Sequence, residues 1–139
     1  MIILDTNVLS EAMRPTPARE VLLWMAEQPS SGLFTTAITQ AEIMYGIELL
    51  PKGRRRVTLQ SAVQALFEED FAGRILPFDS DAARLFPNIA VSRRTSGRPI
   101  AQWDAQIAAI ALSCGATLAT RNTGYFEHCG VMLVNPWNT

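Results

Sequence analysis

Four residues far apart in the chain could do chemistry together: Asp5, Glu42, Asp104 and Asn122. Asp5 stands in LDTN, directly after the apolar run Ile2–Leu4. Glu42 stands in TTAITQAEIMYG, Asp104 in RPIAQWDAQIAA and Asn122 in LATRNTGYF. Three carboxylates and an amide offer only oxygen ligands, the donor set of a hard divalent cation such as Mg²⁺ or Mn²⁺. Such a cation can make a nucleophile of water and offset charge on a phosphoryl oxygen. Taken singly, each acid has an ordinary structural use. Asp5 can cap a helix beginning at Thr6, Thr39 and Glu42 have the spacing of a capping box, and Asp104 can stabilise a first helical turn by about 0.3–1 kcal/mol. Taken together they conflict, because two carboxylates about 4 Å apart repel by about 4 kcal/mol at an effective dielectric of about 20. Acids gathered in one crevice therefore call for a cation.

Whether they gather depends on the elements that carry them. Short apolar runs at Ile2–Leu4, Leu33–Thr36, Ile75–Phe78, Thr117–Ala119 and Val131–Val134 read as strands. Between them the apolar spacing is helical, as in Val21, Leu22, Trp24, Met25 and in Ala62, Val63, Leu66, Phe67. Ile100, Trp103, Ile107, Ile110 and Cys114 form another stripe, closed by Gly115. Alternating strands and helices predict a parallel sheet covered on both faces, a three-layer α/β/α domain spanning 1–139. Pro51–Arg56 and Arg93–Pro99 read as polar loops, the second with Pro99 starting a helix. Ligands of open α/β sheets sit at the carboxyl ends of the strands. Asp5 and Asn122 follow strands one and four, and Glu42 and Asp104 fall in the first turns of helices, which predicts one shared edge.

Composition narrows the alternatives. Twelve Lys and Arg against thirteen Asp and Glu exclude a strongly basic nucleic-acid coat but leave room for local patches. Lys52 is the single lysine, a skew that GC-rich coding also produces. Two cysteines without a CxxC point to a reducing compartment. No basic-then-apolar leader and no bilayer-length apolar run are present, so a cytoplasmic protein without membrane attachment is expected. Phosphate-binding loops, dinucleotide fingerprints and nucleophile elbows are missing. His128 is the one histidine, too few for a His-based zinc site, and it reads as partly exposed before the last strand. An aspartate-nucleophile phosphatase wants a second acid two residues after the first, where this chain has Asn7.

In order and separation, LDTN at 4–7, AE at 41–42, AQWDAQIAAIA at 101–111 and ATRNTGYF at 119–126 resemble the PIN-domain ribonucleases, specifically the VapC-type toxins of bacterial toxin–antitoxin pairs. FAGRILPFD at 71–79 and the terminal NPW at 135–137 resemble their FitB-like branch. The resemblance implies a Rossmann-like fold, Mg²⁺- or Mn²⁺-dependent RNA hydrolysis leaving 5′-phosphate and 3′-hydroxyl ends, and homodimerisation. It also implies inhibition by a cognate antitoxin in a larger assembly. Carried over by position, Asp5 and Asp104 become direct metal ligands and Glu42 a direct or water-mediated one. Thr6 and Asn7 orient Asp5, with Thr120 behind them. Many relatives carry a fourth acid where this chain has Asn122, so a second tightly bound metal would find less negative charge. Arg93, Arg94, Arg98 and Arg121 are candidates for contacting the RNA backbone. Val21–Met25 and Ile43–Leu50 are apolar enough to receive an antitoxin helix. Two rival readings remain: a non-catalytic PIN-like binding module, which Asn122 favours, and a Mg²⁺-dependent phosphatase acting on a small substrate.

Overall fold

The computed structural model describes residues 1–139. Five short parallel strands form its centre: β1 (Ile2–Leu4), β2 (Leu33–Thr36), β3 (Ile75–Leu76), β4 (Thr117–Ala119) and β5 (Met132–Val134). Their order across the sheet is β3-β2-β1-β4-β5. The chain thus leaves β1 in one direction through β2 and β3, then crosses back to build β4 and β5 on the other side. That reversal opens a crevice at the carboxyl ends of β1 and β4, where doubly wound folds place their ligands.

Side chains alternate across the sheet because the strand period is two. Ile3 and Leu118 point to a core under α5 (Ser80–Thr95) and α6 (Gln102–Ser113), while Leu4 and Ala119 point to the other. The second core lies under α1 (Thr6–Ala12), α2 (Arg19–Glu27), α3 (Ala37–Glu48) and α4 (Arg54–Ala65), the last extended by a π-type turn over Leu66–Asp70. Ala105, Ala108, Ala109 and Ala111 let α6 lie close, and Ile107 and Ile110 fill the space between. Each of those isoleucines stabilises the packing by about 1.5–3 kcal/mol. Gly115, at φ 62°, follows the cap of α6 in a left-handed conformation that suits glycine. Val21 and Trp24, like Ile43 and Ile47, are core residues, leaving Leu22, Leu23, Met44, Tyr45 and Leu49 as the open faces of those two segments. No helix is long and apolar enough to cross a membrane.

The strands form where the apolar runs stand, with two shortened. β3 stops at Leu76, because Pro77 has no N–H for the ladder, and β5 starts at Met132. Helix boundaries differ more. Arg54–Arg56 already belong to α4, and Arg93–Thr95 to α5, so both polar loops are shorter than expected. Pro99 does not start α6, whose first residue is Gln102. Thr39 does not cap α3: the cap is Thr36, whose Oγ1 accepts from Thr39 N at 3.0 Å. Glu42 therefore sits in the second turn, released from the capping box.

Candidate active site

Asp5 and Thr120 each stand one residue beyond paired strands. The ladder continues to them, since Asp5 N donates to Ala119 O at 2.9 Å and Thr120 N to Val134 O at 2.9 Å. Their side chains meet as a result, and Thr120 Oγ1 donates to Asp5 Oδ2 at 2.8 Å. Asn7 Nδ2 reaches the same oxygen at 3.2 Å, and Thr6 N donates to Oδ1 at 2.8 Å. The supports are themselves fixed. Thr120 Oγ1 accepts from Asn7 Nδ2 and Asn122 N, which occupies both lone pairs and directs its proton to Asp5. Asn7 Oδ1 accepts from Arg121 N at 3.2 Å, which sets the orientation of its amide. Asp5 is both the N-cap of α1 and a candidate ligand, as Oδ1 keeps a lone pair open. With 4% exposure its burial raises its pKa, opposed by hydrogen bonds from Thr120, Thr6 and Asn7.

Glu42 and Asp104 arrive from α3 and α6 to line the same open cleft, a space of about 380 Å³ that also takes in Asp5, Asn122 and Tyr125. Thr6 Oγ1 lies 3.0 Å from Glu42 Oε1 and 3.1 Å from Thr39 Oγ1. No group of the chain hydrogen-bonds Oε2 of Glu42 or either oxygen of Asp104. Glu42 is pushed up to about 7 by desolvation, with further lift from Asp5 and Asp104 against the Thr6 hydrogen bond. Asp104 is pushed up to about 6 by desolvation and then by Asp5, with Arg93 pulling the other way. Glu42 thus feels both other acids across the cleft, and Asp104 feels Asp5. They do not close into a three-ligand cage, which suits an ion that keeps several waters and takes only one or two carboxylates. The open acceptors are all oxygens, so this donor set fits a hard divalent cation.

Asn122 borders the cleft with its side-chain amide free; its backbone is held through Thr120 Oγ1 and Tyr125 N. The arginines divide. Arg121 lies with Cζ 4.9 Å above the Trp137 ring centre, on the Asn7 side. Arg94 is exposed, and Arg98 pairs with Glu127 at 3.5 Å. Arg93 corrects the sequence expectation: at 5% exposure it cannot track an RNA backbone, because it is buried with its Nε and Nη1 committed to carbonyls inside the fold. Sequence reading missed Tyr125, which lines the acid cleft. It stands three residues after Asn122, but the long-range contact of Arg93 with its carbonyl fixes it there.

A family model described as PIN domain matches residues 2–131. The chain is 42% identical over 137 residues to the VapC ribonuclease Y4jK of Sinorhizobium fredii, covering 99% of this chain and 98% of that protein. It is 40% identical over 138 residues to the toxin FitB of Neisseria gonorrhoeae, covering 99% of each. Among solved structures, FitAB bound to an IR36 DNA fragment matches with a TM-score of 0.92 at 40% identity, covering 100% of this chain and 97% of that one.

Proposed function

The chain belongs to the PIN-domain family, and from that premise we propose that it is the ribonuclease toxin of a toxin–antitoxin pair. As one domain over 1–139, it hydrolyses RNA phosphodiesters; Asp5 and Asp104, with Glu42 beside them, would hold the Mg²⁺ or Mn²⁺ this chemistry uses. The observation that carries this reading is the cleft that brings Asp5, Glu42 and Asp104 together from three elements, where burial and then neighbouring carboxylates raise the pKa of Glu42 and Asp104. A bound divalent ion would supply the Lewis acidity that activates water and neutralises a phosphoryl oxygen.

The chain's own groups do the rest. Thr6, Asn7 and Thr120 hold the Asp5 carboxylate in one orientation, so little reorganisation accompanies reaction. Glu42 Oε2 accepts a proton from the attacking water, while Thr6 steadies Oε1. Asn122 offers its amide oxygen at the rim. Water attacks phosphorus in line and the P–O3′ bond breaks, the 3′ oxygen taking a proton from solvent, which leaves 5′-phosphate and 3′-hydroxyl ends. Arg94 and Arg121 are the exposed arginines that remain candidates for the RNA backbone. The partners are single-stranded RNA, a cognate antitoxin and a second copy of the chain, in the cytoplasm.

The test is cleavage of a mixed single-stranded RNA pool by antitoxin-free protein with Mg²⁺ or Mn²⁺, beside an Asp5→Asn/Asp104→Asn double variant. Cleavage is expected to vanish in the variant and in EDTA. Equal cleavage by variant and parent would overturn the site. Asn122 in place of an acid favours one second reading, a binding module that holds RNA without cutting it; RNA affinity with no turnover at any cation concentration would select it.

A further inference from the structure

Beside the acid cleft lies a second hollow, of about 220 Å³, lined by Arg93, Pro99, Ile100, Ala101, Asp104 and Tyr125. Asp104 and Tyr125 line both spaces, so the two share a wall. Arg93 is nearly sealed, yet only part of its guanidinium is used. Its Nε donates to Arg98 O at 2.8 Å, and its Nη1 donates to Tyr125 O at 2.5 Å and Glu127 O at 3.2 Å. Nη2 meets no acceptor of the chain, and it is not sealed either, since Arg56 Nε is the one fully buried side-chain polar atom left without a partner. A guanidinium nitrogen so placed has a donor to spare for a ligand. The same contacts pin the backbone of Tyr125, whose side chain is 59% exposed. Tyr125 thus lines the hollow from a fixed backbone, together with the apolar Pro99 and Ile100.

We propose that this hollow is a nucleobase subsite. It receives the base of a nucleotide next to the scissile phosphate, stacked on Tyr125, with a base carbonyl oxygen accepting from Arg93 Nη2. The inference rests on the ribonuclease reading above and adds the specificity of the same site. Charge selects a base over a phosphate, because a phosphate here would face the Asp104 carboxylate with one largely committed arginine to offset it. A neutral base avoids that repulsion, and its flat face suits the ring and the proline. Stacking tolerates any base, whereas the Nη2 donor favours guanine, uracil or cytosine over adenine, which has no carbonyl oxygen.

The test begins by mapping the cut in a mixed-sequence single-stranded RNA with the wild-type protein and Mg²⁺, then replaces each flanking nucleotide by an abasic one. At one flanking position the abasic substitution is expected to lower kcat/KM by about tenfold or more, chiefly through KM, the size of one lost base stack. Tyr125→Ala should suffer a like loss on intact RNA and little further loss on the abasic strand, while Tyr125→Phe retains cleavage. Adenine at that position should be cut less well than uracil or guanine, a preference that Arg93→Lys levels. Additive losses in Tyr125→Ala and the abasic strand, or wild-type rates for Tyr125→Ala, would overturn the subsite while leaving the ribonuclease standing. Wild-type protein that cuts no RNA would overturn both.

Discussion

Glu11 and Glu42 are two glutamates withdrawn from solvent, and the fold treats their charges in opposite ways. Glu11, 7% exposed at the end of α1, accepts from Ala18 N at 2.9 Å and pairs with Arg14 at 3.3 Å. The Ala18 N–H first, then Arg14 and the more distant Arg121, lower its pKa against the cost of burial. Glu42 has one hydroxyl for company and two other acids across the cleft, and it is pushed up to about 7. The environment of Glu11 is complete within the chain, where it ties a turn. That of Glu42 is left incomplete within the chain, as is common for a functional acid.

Substitutions should separate these two regions. The largest effect is expected from Asp104→Asn, which should lower kcat on single-stranded RNA by about 10²–10³-fold, the scale of one lost transition-state contact. The cation-free variant should melt no lower than the parent, since it loses a repulsion. Glu11→Gln should do the reverse, keeping turnover and lowering the melting temperature. An inactive but stable Glu11→Gln protein would erase the distinction. Next comes Thr120→Val, which removes the 2.8 Å donor to Asp5. It should cost about 10–100-fold in Mg²⁺ affinity or single-turnover rate, as is typical when a ligand's supporting partner is lost. Titration calorimetry reads that affinity without relying on activity. Mg²⁺ should also stabilise the fold, by about 2.7 kcal/mol at a hundredfold excess over its dissociation constant. A rise in melting temperature that persists in Asp5→Asn/Asp104→Asn would place the ion elsewhere.

The same contrast explains what could be read in the sequence. The strands were legible because apolar runs end abruptly at polar residues, and the acids then followed from the strand ends. The cap of α3 was not, since TTAIT offers a hydroxyl at both Thr36 and Thr39 and only the ladder of β2 decides between them. Arg93 was misread because its neighbours RTSGR are polar, whereas its partners are carbonyls 32 and 34 residues away at Tyr125 and Glu127. A side chain satisfied by distant backbone leaves no local pattern. Tyr125 went unnoticed for the related reason that its place at the cleft depends on that clamp.

The subtlest consequence is the response of the cation-free protein to pH. Glu42 at about 7 and Asp104 at about 6 lie above their ordinary values of 4.5 and 3.8, so the folded state keeps protons that the unfolded chain has released. Stability from these groups is fully present below their ordinary values and is lost as pH rises through the folded ones. Glu11 has the opposite sign: its contribution is present above 4.5 and is lost as the solution is acidified through its lowered pKa. Because Glu42 and Asp104 are only half-buried, solvent screening keeps the change small. Melting in EDTA should therefore decline gently from about pH 4 to about pH 7, and Glu42→Gln should flatten that decline while Glu11→Gln leaves it in place. Saturating Mg²⁺ should abolish it in the parent, because a bound cation favours the ionised acids that burial disfavours. A decline unchanged by Glu42→Gln would mean that this carboxyl group is as well satisfied within the chain as that of Glu11, and the cleft would lose its claim to a cation.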